Sequence, residues 1–395
     1  MPEKFVYADN AATTRVSQSV LDAMLPYFGE EYGNPSSLHS KGRAANAALG
    51  NARARIAKLL GAKESEIYFT ASGSEADNWA VKGAAYANRD RGKHIVSTKI
   101  EHHAVLNSLK ALEREGFEVT LVDVDQGGRV SPEAVANAVR EDTVLVSVMT
   151  ANNEVGTIEP IAEISAAVKQ KNRKTLIFTD AVQAAGTLRL DVRELGVDML
   201  SLSGHKLHAP KGVGALYIRN GIRVSNLIDG GGQERSRRGG TENLPYIIGL
   251  AKALEDAVAG IDENVRVSAM RDRLIDGILD KIPYTRLNGA REQRLPGNVN
   301  ISFDYIEGES LLLWLDMNGI CASTGSACSS ASLEASHVLL ALGVPVESAH
   351  GSLRLSLGRD NTDDDVDYIL QVLPGIVERL RNMSPLYEKV NGSKI

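Results

Sequence analysis

A lysine closes the stretch Ser203-Gly204-His205-Lys206, which follows directly on a β-rich run. Ligand sites in open α/β sheets lie at the carboxyl ends of strands, so the position suits chemistry. A free lysine amine has a pKa near ~10.4 and attacks a carbonyl only when neutral; holding an aldehyde as a Schiff base therefore needs burial or cationic neighbours. A second run, Phe178-Thr179-Asp180-Ala181-Val182-Gln183, ends in a carboxylate. That is the group expected to pair with the protonated ring nitrogen of pyridoxal phosphate and so make the ring an electron sink. The turn Ala71-Ser72-Gly73-Ser74-Glu75 joins a third run to a helical stretch, and its amides and hydroxyls, aided by the helix dipole, suit a phosphate. Singly, each has an ordinary use: a strand-end Asp caps a helix, a Gly-Ser turn is an N-cap, and a lone lysine is solvated. Their order along one sheet edge makes them a set.

Cys328 lies in Ser323-Thr324-Gly325-Ser326-Ala327-Cys328-Ser329-Ser330-Ala331-Ser332. This run of small residues reads as an exposed, mobile loop, whereas a structural cysteine sits among apolar groups. Such a loop suits a thiol that attacks at one place and delivers at another. An unperturbed thiol, with pKa ~8.5, is only a few per cent thiolate at neutral pH, so local activation is expected. Cys321 and Cys328 are the only cysteines, too few for a disulfide framework or a four-ligand zinc site. No metal site is expected, and Cys321 is given no catalytic role.

These groups need a sheet to hold them. Over residues 65–220 short β-rich runs alternate with amphipathic stretches, the pattern of a parallel sheet with helices on both faces. Strands are expected at 66–70, 94–98, 118–122, 144–149, 175–179, 199–203 and 214–218, and helices at 74–89, 104–115, 131–139 and 160–170, where apolar residues recur at three- and four-residue spacing. Residues 16–60 read as mostly helical, interrupted by the turn-forming Gly33-Asn34-Pro35-Ser36-Ser37. Past Gly240 the texture changes. A long helical stretch over 244–282 precedes strands near 298–303 and 352–357 alternating with helices. The expected organisation is a large α/β domain over 15–260, and a smaller α+β domain made of 1–14 and 261–395 that carries the Cys328 loop.

The composition sets limits. The chain has 395 residues, 43% hydrophobic and 24% charged, enough for a substantial core. With 44 basic and 50 acidic residues, a net charge of -6 offers no footprint for nucleic acid or an anionic membrane, leaving small molecules and proteins as partners. The opening MPEKFVYADNAATT lacks a signal pattern, and no apolar run nears the roughly 18 residues of a membrane span; the cytoplasm is the expected compartment.

Nearly end to end, the chain resembles the cysteine desulfurases of the NifS/IscS type, fold-type I pyridoxal-phosphate enzymes that supply sulfur for iron-sulfur clusters. The resemblance is carried by Asp9-Asn10-Ala11-Ala12-Thr13-Thr14, Gly33-Asn34-Pro35-Ser36-Ser37, Glu101-His102, Asn152-Asn153-Glu154, Ser203-Gly204-His205-Lys206, Arg238-Gly239-Gly240-Thr241-Glu242-Asn243 and Gly325-Ser326-Ala327-Cys328. It implies a large domain built on a mainly parallel seven-stranded sheet. It also implies that Lys206 holds the cofactor, that Asp180 pairs with its ring nitrogen, and that Gln183 and Asn153 meet its phenolic edge. His102 would stack on the ring and move protons. Gly73, Ser74, Ser203 and His205 would hold the phosphate, with Thr241 reaching in from the second subunit of a homodimer. Asn34 and Arg354 would bind the carboxylate of L-cysteine, a task that suits a guanidinium fork. His103 matches no role and is read as structural or incidental. Ser74 stands where many relatives have threonine.

On this resemblance the expected reaction turns L-cysteine into alanine and leaves its sulfur on Cys328 as a persulfide for an acceptor protein such as a cluster scaffold. Three rivals stand beside it. A selenocysteine lyase shares most cofactor contacts, an aminotransferase would need a 2-oxo acid, and an inactive sulfur carrier would not need Lys206, Asp180 and Cys328 together.

Overall fold

The computed structural model describes residues 4–324 and 335–392. Strands β1 (Val6–Tyr7), β2 (Ile67–Thr70), β3 (His94–Thr98), β4 (Glu118–Val122), β5 (Thr143–Ser147), β6 (Leu176–Asp180), β7 (Met199–Ser203) and β8 (Gly214–Ile218) come first in the chain. All but β1 join one seven-stranded sheet of order β2-β8-β7-β6-β5-β3-β4. Every neighbouring pair runs parallel except those involving β8, which is antiparallel to both β2 and β7. The reversal has a simple cause: a parallel return needs a crossover of a dozen or more residues, and segment 204–213 is too short to supply one.

Helices cover both faces: α1 (Gln18–Met24), α2 (Ser40–Leu59), α3 (Gly73–Asn88), α4 (His103–Arg114), α5 (Pro132–Ala138), α6 (Ile161–Lys171), the single turn α7 (Gln233–Ser236) and α8 (Leu244–Ala259). Strand side chains alternate between two cores. Ile95, Leu145, Phe178, Met199 and Leu216 pack with Trp79 and Ala80 of α3 and Leu109 of α4, while Val96, Val146, Ile177, Leu200 and Ala215 pack with Ile56 of α2, Ile164 of α6 and Leu250 of α8. A sheet covered on both sides needs apolar side chains at consecutive positions, as Ile95-Val96 of β3, Leu145-Val146 of β5 and Ile177-Phe178 of β6 supply.

The long helical stretch over 244–282 is two helices. Gly260 closes α8, a short 3-10 turn follows at Ile261–Glu263, and α9 (Asn264–Lys281) begins afterwards. Likewise the early helical region is broken over 25–39, a wider gap than Gly33 to Ser37 alone. Beyond α9 come β9 (Thr285–Leu287), β10 (Asn298–Phe303), α10 (Gly308–Met317), β11 (Ile320–Cys321), α11 (His337–Ala341), α12 (Val346–His350), β12 (Ser352–Ser356), α13 (Asp363–Asn382) and α14 (Pro385–Gly392). An antiparallel sheet β12-β10-β9 packs with α9, α10 and α13 around Leu274, Ile301, Leu311, Leu353 and Leu373. Val6 and Ala8 belong to this second core, because β1 pairs in parallel with β11. The N-terminal strand therefore lies against the C-terminal third, and the chain leaving it, residues 9–14, runs back over the ends of the large sheet. Among the described residues no helix is long and apolar enough to cross a membrane.

Candidate active site

The carboxyl ends of β3, β5, β6 and β7 open into a cavity of about 400 Å³. Gly73, Ser74, His102, Asn153, Asp180, Gln183, Ser203, His205, Lys206 and Arg354 all line it. Two expected members do not: Asn34 is exposed in a turn where its side chain accepts the Ser36 N–H at 2.9 Å, and Thr241 lines a separate small pocket. Cys328 lies outside the described residues.

Lys206 ends a 3-10 turn, Gly204–Lys206, that begins at the last residue of β7. Its Nζ donates to the carbonyls of Ala11 and Ala12, the latter at 2.7 Å, and Gln183 Nε2 donates to the same Ala11 carbonyl at 3.0 Å. The returning segment 9–14 thus fixes the lysine with main-chain oxygens. His205 beside it faces Thr13 Oγ1 at 3.2 Å. Burial, with Lys206 and Lys211 nearby, pushes its imidazole down to about 4, so it stays neutral at physiological pH and can offer a ring N–H.

At α3 the sequence builds an anion cradle. The first amides of a helix have no partner inside it; the Ser72 hydroxyl takes that of Glu75 at 3.1 Å, and Gly73 and Ser74 border the cavity. Glycine is required at 73, because a Cβ there would sit 2.8 Å from Val182 Cγ2 and 3.1 Å from Ser203 Cβ. With Ser203 and a neutral His205 across the gap, the turn fits a phosphate.

The opposite end is acidic. Asp180 is 5% exposed, and its Oδ1 accepts the Val182 N–H at 2.8 Å. Burial raises its pKa, while His102, the Val182 amide and Lys206 hold it back. A buried carboxyl facing a cavity fits a cationic ring nitrogen, which would favour its charged form. His102 N-caps α4, its Nδ1 accepting the Ala104 N–H at 3.1 Å. Burial lowers its pKa against the pull of Asp180, which leaves a neutral ring with its proton assigned to Nε2. An anion cradle at one end, an acid at the other and a lysine between them fit a pyridoxal phosphate, one feature at a time.

Arg354, in the middle of β12, is 2% exposed. It donates to the Asn153 carbonyl at 3.0 Å and to Asp9 Oδ1 at 3.1 Å, and its Nε has no partner among the described residues. A cation held on two sides and lining the cavity is ready for a carboxylate.

Other wall residues were assigned no role from the sequence. Asp77, one turn into α3, is fully buried behind the acid end. Glu154 is pushed up to about 7 by burial, opposed by the Ser336 hydroxyl that donates to it and by Arg354. His337 joins His103 at the rim, ring centroids 4.7 Å apart, so His103 has a place in the wall even without a matched role. Glu154 and His103 each adjoin a recognisable residue, and that adjacency was the only available hint. Cys321 lies outside this cavity; burial, with Asp316 and Asp9 nearby, pushes its thiol up, away from the thiolate form that reacts.

The Aminotransferase class-V family matches residues 6–369. A cysteine desulfurase IscS of Methanosarcina thermophila is 58% identical over 387 residues, covering 98% of this chain and 95% of the relative. One of Clostridium botulinum (strain Hall) is 56% identical over 388 residues, covering 98% and 97%. Among solved structures, a NifS-like protein superposes with a TM-score of 0.90 at 42% identity, covering 95% of this chain and all of that one.

Proposed function

This chain belongs to the class-V aminotransferase family, among its cysteine desulfurases, and we propose that it works on L-cysteine with a pyridoxal phosphate held by Lys206. The reading is carried by one observation: Lys206, Asp180, the Gly73-Ser74 turn and Arg354, far apart in sequence, border a single cavity. Bound there, the cofactor supplies an aldehyde for the substrate amine and a ring that draws electrons from the α-carbon.

The chain's own residues do the rest. Gly73, Ser74, Ser203 and His205 bind the phosphate, Asp180 keeps a charge opposite the ring nitrogen, and Asn153 and Gln183 sit at the phenolic edge. His102 would lie against the ring with a proton at Nε2. Arg354 binds the substrate carboxylate and so orients the bond to sulfur, and Lys206 would hold the aldehyde until substrate arrives. The Cys328 thiolate then attacks the substrate sulfur. The carbon-sulfur bond breaks, its electron pair stays with the carbon fragment, and protonation yields alanine while Cys328 keeps a persulfide. An acceptor protein collects that sulfur for iron-sulfur cluster assembly.

A cytoplasmic setting agrees with this chemistry, since a working thiol stays reduced there. A homodimer is the second part of the reading: Thr241 lies away from its own chain's cavity, as a residue serving a partner's site would. The test is borohydride reduction of the loaded enzyme followed by peptide mapping. A pyridoxyl group on Lys206 is expected, with equimolar alanine and sulfide formed from cysteine beforehand when a thiol reductant is supplied to release the persulfide sulfur; a tag on any other lysine overturns the assignment.

A further inference from the structure

Asp77 and Glu154 are carboxyls of the cavity wall to which the proposed reaction assigns no work, and Asp77 is the one beside Asp180. It lies one helical turn after Gly73 on α3 and is 1% exposed. Its Oδ1 accepts the Ser201 hydroxyl at 2.6 Å. Ser201, on β7, is the register partner of Asp180 on β6, and its hydroxyl donates to Asp77. One ligand atom each of Asp77, His102 and Asp180 lies within 4.8 Å of the other two.

We propose that Asp77 is a positioning residue for the ring-nitrogen site, the member of a buried carboxyl pair that keeps a proton and leaves the negative charge on Asp180. The proposal rests on the cofactor reading above. Two like charges this close in a buried site disfavour each other, so one carboxyl stays neutral. The surroundings decide which. Asp180 accepts a backbone N–H and faces His102 and Lys206, all of which favour its anion. Burial disfavours the Asp77 anion most, the carboxyls of Asp180 and Glu101 add to this, and the Ser201 hydroxyl opposes them. Were Asp77 the anion, Asp180 would hold the proton and the ring nitrogen would lose its counter-charge.

The test compares Asp77→Asn with Asp77→Leu. A carboxamide copies a neutral acid and still accepts from Ser201. Asp77→Asn is therefore expected to keep the wild-type cofactor dissociation constant within about twofold and to leave the pH midpoint of the visible absorption unmoved. Asp77→Leu frees the Ser201 hydroxyl to bind Asp180 and weakens cofactor retention about tenfold, the scale of one charge-assisted hydrogen bond. An Asn variant as weak as Leu, or a moved midpoint in it, overturns the proposal, because only loss of a charge would do that. Infrared difference spectra decide the protonation directly and need no cofactor: wild type minus Asp77→Asn should show a positive protonated-carboxyl band, and a positive carboxylate band instead refutes the idea. Ser201→Ala, which keeps both carboxyls, should shift the same acid band, and an unshifted band counts against it. Wild type that takes up no cofactor would instead sink the parent reading, a separate result.

Discussion

Replacing Arg354 with lysine probes how the substrate is oriented while leaving the charge in place. The guanidinium already spends one arm on the Asn153 carbonyl at 3.0 Å and another on Asp9 at 3.1 Å, and it keeps Nε in reserve. A lysine ammonium is a point donor on a flexible stem and cannot span Asn153, Asp9 and a carboxylate together. The variant should lose about one charge-assisted hydrogen bond to substrate, roughly 1.5–3 kcal/mol, or about 10- to 150-fold in kcat/KM for cysteine. Cofactor retention should hold, because neither existing contact reaches Asp180 or the turn at Gly73. The assay compares cysteine with cysteamine, which has the amine and thiol but no carboxylate. Wild type should favour cysteine strongly, and in Arg354→Lys that preference should shrink by the same factor. A preference that survives unchanged means the carboxylate binds elsewhere; an equal loss on both substrates means the mutation damaged the fold rather than the recognition.

Cys328→Ser should abolish sulfide release from cysteine while the visible cofactor absorption remains, and full turnover in that variant would remove Cys328 from the mechanism. Glu234→Ala should destabilise the protein by about 3–5 kcal/mol in denaturant titration, because it strands Arg53, which donates twice to Glu234 at 2.8 Å, and frees the Phe69 amide. The same carboxylate anchors three successive residues in left-handed conformation, Glu234, Arg235 and Ser236, so the loss should also loosen the neighbouring Thr241 loop. Glu159 is pushed up to about 8 by burial, so the native state keeps a proton that the unfolded chain releases above its ordinary value of 4.5. The stability this gives is complete below that value and drains away as pH rises toward 8, at most about 1.4 kcal/mol per pH unit. Unfolding of wild type and Glu159→Gln at several pH values should show wild type losing ground across that window; a constant difference would contradict the assignment.

Much of the site could be seen from residue order alone. Short β-rich runs between amphipathic stretches located the strands, with β3, β4, β7 and β8 placed to the residue. The strand-end positions of Lys206 and Asp180 and the Gly73 turn were likewise readable, since strand ends and the turns after them carry short, distinctive strings, whereas His102 was found only through the resemblance. What only the tertiary structure decided is non-local. The antiparallel course of β8, the Ala11 and Ala12 carbonyls on Lys206, the pairing of Arg354 with Asp9, and Asp77 beside Asp180 all join residues far apart in sequence. Side-chain spacing of two or 3.6 residues tells which face a residue takes; it says nothing of which distant strand will lie opposite. Burial and register set those partners, and with them the charges that the cavity holds.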